Sequence, residues 1–133
     1  MNRAQLECAL RALSSSLGYH FYLLPANRIA EVKSFPAAVL EPPTVASVEG
    51  RGHGRISYNF TLHLLGLSAK LSTEERCLLW EKMESDLLDI CSELSENEQV
   101  IVVDELDITP REYALTTHGE ISQTARAKAV LYF

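Results

Sequence analysis

The run from Arg55 to Leu67, RISYNFTLHLLGL, constrains this chain more than any other segment. Ile56, Tyr58, Phe60, Leu62 and Leu64 fall on one side of the alternation, and Ser57, Asn59, Thr61 and His63 on the other. A period of two predicts one long strand with a buried and a wet face. A Gly/Pro-rich stretch precedes it and an amphipathic helix pattern follows. Strands of this kind belong to antiparallel sheets covered by helices on one side. Such sheets assemble readily through their edges, where backbone donors and acceptors are left unpaired.

The remaining elements follow from period and punctuation. Leu6, Leu10, Leu13 and Leu17 recur at spacings of three and four, predicting a helix over 3–17 that Gly18 stops. Residues 19–24 and 35–40 read as short strands, halted by Pro25 and by Pro42-Pro43. Residues 42–54, PPTVASVEGRGHG, read as the loosest stretch, either a hairpin tip or a loop that orders against a partner. Ser72 with Glu75 makes a capping box, and Trp80, Met83, Leu87, Ile90, Cys91 and Leu94 form the core stripe of a helix ending near Leu94. Glu81, Glu84, Asp86 and Glu93 are expected on its wet side. Val100–Val103 reads as a buried strand broken by Pro110, residues 116–119 as a turn, and 120–133 as a closing strand. Ile121, Ala125, Ala127, Ala129, Leu131 and Phe133 share one face of that strand, with Arg126, Lys128 and Tyr132 on the other. The expected architecture is a single α+β domain over 1–133. It is a two-layer sandwich, with a mostly antiparallel sheet of four to five strands and two helices on one face.

Bulk properties narrow the function. A chain of 133 residues is the size of one domain. Its net charge of −6 argues against broad binding to nucleic-acid phosphates or anionic membranes; Arg51 and Arg55 beside His53 are the best candidate for a local basic patch. No apolar stretch approaches the roughly 20 residues that cross a bilayer, and Glu7 and Arg11 interrupt any signal-like core at the start of the chain. Cys8, Cys77 and Cys91, an odd count, point to reduced thiols in a cytoplasmic compartment and are expected as small core residues. Cys77 and Cys91 on one helix would lie roughly 21 Å apart, too far for a disulfide.

No group of residues reads as a catalytic site. His20, His53, His63 and His118 are scattered without zinc-ligand spacing. Asp104, Glu105, Asp107 and Glu112 are acidic enough to suggest magnesium ligands of a nuclease, with Arg126 or Lys128 stabilising charge. The plainer reading is an acidic strand edge that discourages pairing. Gly50, Gly52 and Gly54 enter a strand, whereas a phosphate cradle opens a helix.

The element order, carried by Leu6–Leu17, Arg55–Leu67, Ser72–Leu94 and Glu120–Phe133, resembles the tail-terminator and tail-completion proteins of long-tailed bacteriophages and prophages. The resemblance implies a non-enzymatic structural protein without metal or cofactor. It would form a ring of its own copies, commonly a hexamer, and meet tail-tube or head-connector proteins. It would act in the cytoplasm of the bacterial host and in the assembled particle. The natural contact elements are the sheet edges and the loop Glu49, Gly50, Arg51, Gly52, His53, Gly54 and Arg55. An acidic balance would suit a channel through which DNA slides without sticking. Two other classes stay open: a regulatory ferredoxin-like module holding a small ligand near Tyr58 and Phe60, and a metal-dependent nuclease using the Asp104–Glu112 acids.

Overall fold

The computed structural model describes residues 1–50, 54–111 and 114–132. Helix α1 spans Arg3–Ser16 and starts on a capping box: the Asn2 side chain accepts from the Gln5 amide while the Gln5 side chain accepts from the Asn2 amide. Leu6, Leu10 and Ser14 are its fully buried residues, and Gly18, at φ +92°, turns the chain out of it. Helix α2 spans Thr73–Ser95. Its Ser72–Glu75 box is closed in both directions, and Glu74 and Glu75 lie where the helix dipole favours acids.

The strands are β1 (His20–Leu23), β2 (Ala37–Leu40), β3 (Thr44–Glu49), β4 (Arg55–Leu67), β5 (Val100–Arg111) and β6 (Glu120–Tyr132). They form one six-stranded sheet in the order β1-β2-β4-β6-β5, with β3 also on β4. Only β1 and β2 run parallel, so the sheet is mixed and mostly antiparallel, with more strands than the four to five expected. β4 and β6 pair along their whole lengths, from Arg55↔Tyr132 to Leu67↔Glu120, and form the spine.

The additional strand comes from the segment expected to be a loose loop. β2 and β3 lie end to end along one edge of β4: Leu40 pairs with Leu62, the Glu41 amide donates to the Thr61 carbonyl, and Thr44 pairs with Asn59. Pro42-Pro43 break the strand without ending the run, because neither can donate yet the chain stays extended. Pro110 likewise sits inside β5, opposite Gln123. A proline is tolerated there because β5 is an edge strand. Being at the edge, β5 also leaves Val102 exposed, so Val100–Val103 is not the fully buried strand its composition suggests.

Both helices cover one face of the sheet. Leu6, Leu10, Met83, Leu87 and Ile90 pack there against Tyr58, Phe60, Leu62, Leu64, Ala125 and Leu131. The opposite face is not uniformly wet. A 3-10 turn, Ala26–Glu31, places Ile29 with Val32 over Ala37, Val39 and Leu65, making a second small core at one end. His63, opposite Val39, is buried beside that small core, and Ser57, between β3 and β6 at the other end of β4, is buried as well; both were expected in solvent. Asp86, expected on the wet side of α2, is buried where α2 meets Tyr19. Of the cysteines only Cys91 joins the core; Cys8 and Cys77 are exposed.

Candidate functional site

Beyond Pro42-Pro43 β3 takes over this edge of the sheet, paired with the first half of β4, whose other side pairs with β6. β3 is exposed along nearly its whole length. Val45 and Val48, on the helix side of the sheet, are 55% and 57% exposed, and the outer edge of β3 has no partner strand among the described residues. A shift in pairing between Val45 and Ser47 bulges that edge. Of the loop expected at the interface, Glu49 ends β3 opposite Arg55, Gly50 has φ +88°, and Gly54 is buried. Arg51, Gly52 and His53 lie outside the described residues. An open basin of about 670 Å³ lies between the start of β3 and α1, bordered by Arg3, Leu23, Pro42, Val45 and Tyr58.

Where β2 gives way to β3 along β4 lies a buried polar network that the sequence did not single out. His63, 3% exposed, stands between Val39 of β2 and Thr124 of β6. Its Nε2 is 2.6 Å from Glu41 Oε2 and its Nδ1 is 2.8 Å from Thr124 Oγ1. One proton arrangement satisfies every atom: a neutral ring donates from Nε2 to the Glu41 carboxylate, and the Thr124 hydroxyl donates to Nδ1. Burial pushes the imidazole below its usual range; Glu41 opposes this by hydrogen bond and charge, and Arg111 and Arg126 reinforce it. Carboxylate, imidazole and hydroxyl in series resemble a nucleophile relay. Thr124 is only 2% exposed, however, so its oxygen is closed to a substrate and the network is built to hold strands. The only sequence signal for it was a histidine in mid-strand beside an acid placed just before two prolines.

The acids expected to form a metal site lie along the edge strand. Asp104 stands opposite Lys128 and Asp107 opposite Arg126, and Glu105 between them forms a bulge at φ +53°. Among the described residues no three His, Cys, Asp or Glu side chains converge on a metal position. Glu112 lies outside the described residues. Tyr58 and Phe60, proposed to line a ligand pocket, are packed in the main core; Tyr58 borders the open basin, and Phe60 a shallow hollow of about 250 Å³ beside Arg126.

Two further buried groups fix loops to the frame. The Glu120 carboxylate, at the start of β6, accepts from the Leu115 and Thr116 amides and the Thr116 hydroxyl. Burial works to raise this carboxyl, but those donors outweigh it and hold it below the usual carboxylate range. The Tyr19 hydroxyl donates to Asp86 at 2.6 Å, and Lys82 donates to the same oxygen at 2.7 Å. Burial first, then the Asp86 carboxylate, drives the Tyr19 phenol well above its ordinary range.

No protein-family model matches the chain, and no curated protein matches its sequence. Among the described residues no helix is long and apolar enough to cross a membrane.

Proposed function

We propose that this chain is a non-enzymatic structural subunit of the phage tail-completion or terminator kind, which closes head-to-tail into a ring and meets tail-tube or head-connector proteins. The observation that carries the reading is the edge strand β3, which is held by β4 alone. It leaves two valines and an unpaired strand edge in solvent, an arrangement suited to being covered by a neighbour. A ring needs a second, different patch on the same subunit. The outer side of α2 offers one, because Leu78 and Leu88 are 64% and 50% exposed there. The hollows described above are open, and Asp104 and Asp107 of β5 stand opposite Lys128 and Arg126, which favours an assembly role over catalysis or enclosure of a metabolite.

The test is sedimentation and negative-stain imaging of the purified protein, alone and with tail tubes. The expected result is ring-shaped particles that Val48→Asp abolishes while circular dichroism stays unchanged. A wild-type protein that stays monomeric at high concentration and leaves tube ends bare would refute the reading.

A further inference from the structure

A hollow of about 220 Å³ lies across the β5–β6 pair, lined by Thr109, Pro110 and Arg111 from β5 and by Thr124 and Arg126 from β6. Thr124 and Arg126 alternate with Ala125 and Ala127 of the main core, so they face away from the helices. In the strand register Thr109 stands opposite Thr124, Arg111 opposite Ser122 and Arg126 opposite Asp107. The two arginines therefore flank the threonine pair, one from each strand. No acid is among the residues that line the hollow. Asp107 is the cross-strand neighbour of Arg126, yet among the described residues Arg126 forms no ion pair, and Glu105 borders a separate hollow beside it. We propose that this hollow binds a phosphate-class dianion, either inorganic phosphate or the terminal phosphate of a small phosphomonoester, between the Arg111 and Arg126 guanidinium groups.

The chemistry follows from the donors. Two cations brought to one hollow repel each other, and an anion between them turns that repulsion into attraction. A guanidinium offers a planar fork of N–H donors that matches the spacing of phosphate oxygens. One fork suffices for a carboxylate, whereas two forks from different strands suit a group with three or four acceptor oxygens and a double charge. The same count disfavours a nucleic-acid phosphodiester, which carries one charge and two free oxygens. Thr109, exposed at the mouth, adds a hydroxyl. The Thr124 hydroxyl is engaged with His63, so Thr124 serves as wall. Size sets a further limit. The hollow is smaller than the roughly 300 Å³ at which pockets for drug-sized ligands begin, so it holds one anionic group and leaves the rest of any larger molecule outside. The net charge of −6 weakens attraction of anions from afar but does not neutralise two arginines at contact range. The site does not depend on the ring assembly proposed above.

The measurement is an amide NMR titration of the whole protein with inorganic phosphate and, separately, with glycerol phosphate, at constant ionic strength. The amides of Thr109, Arg111, Thr124 and Arg126 shift saturably, with a dissociation constant of about 1 mM or tighter for at least one of the two ligands. Arg126→Gln, at an exposed position, weakens that binding at least about tenfold, and Arg111→Gln does the same. Lys128→Gln removes an equal charge from the next position on the same face of β6 and changes the constant by less than about threefold. Circular dichroism of each variant checks the fold, and the Arg126 and Lys128 variants suffice if Arg111→Gln does not fold. Shifts that are absent or do not saturate overturn the site. So does a loss in Lys128→Gln as large as in Arg126→Gln, which would mark diffuse charge. Acetate that displaces phosphate at equal concentration, or an oligonucleotide without terminal phosphates that displaces it, overturns the assignment to a dianion.

Discussion

Leu87 and Leu88 are neighbours on α2 with the same side chain, yet one is completely buried and the other half exposed. Truncating each to alanine isolates what burial contributes. Leu87→Ala removes three carbons from the core shared by both helices and the sheet, a transfer loss of about 2.4 kcal/mol at ~0.8 kcal/mol per methylene. The cavity left behind raises the cost to about 3–4 kcal/mol, within the range seen for buried leucines elsewhere. Against a total stability of roughly 5–15 kcal/mol for a domain, that is a large fraction. Leu88→Ala leaves no cavity, and alanine is the better helix former, so its effect should stay within about 0.5 kcal/mol. Guanidinium denaturation followed by circular dichroism, at protein concentrations low enough to prevent self-association, separates the two. With a slope of about 4 kcal/mol per molar, Leu87→Ala lowers the midpoint by roughly 0.8–1 M while Leu88→Ala barely moves it. Losses within about 1 kcal/mol of each other, or a larger loss at Leu88, would show that α2 does not present the face described.

Three other outcomes are expected. Because the folded-state pKa of His63 is depressed, its full contribution to stability is present above about pH 6.5 and is lost as pH falls below that value, where the unfolded chain takes up a proton that the folded chain resists; the slope reaches at most about 1.4 kcal/mol per pH unit. Urea titrations from pH 7.5 to 5 should show this slope in the wild-type protein and a shallower one in His63→Gln. Glu120→Gln sets an amide among three donors and should cost about 2 kcal/mol at pH 7. Since the folded-state pKa of Glu120 is also depressed, its contribution is present above the unfolded value near 4.5 and lost as pH falls below it; chemical denaturation at pH 7 and pH 3.5 should therefore show a smaller gap between variant and wild type in acid. Ser72→Ala removes the acceptor for the Glu75 amide and should lower stability by about 1 kcal/mol, read as a fall of a few degrees in the melting temperature.

The two helices, the long strand at 55–67 and the closing strand were legible in the sequence because each repeats its apolar residues at one strict period. The Ser72–Glu75 cap was legible because both partners lie within four residues. β3 was not legible. Its TVASVE run has too few apolar residues to alternate, and it becomes a strand because β4 extends far enough to pair with it. Among the candidate interface residues, Glu49 and Gly50 fall at the end of β3, and Gly54 and Arg55 at the start of β4. The His63 network stayed hidden for a similar reason: Glu41, His63 and Thr124 are remote in sequence and meet only through strand register.

The chain by itself determined which segments are helical or extended and which side of each is apolar, since both follow from spacing between near neighbours. Only the tertiary structure decided that His63 and Asp86 are buried, that Cys8 and Cys77 are not, and that β2 and β3 share one edge of β4. Burial and pairing depend on which distant segment arrives to cover a side chain, and local periodicity carries no information about that arrival.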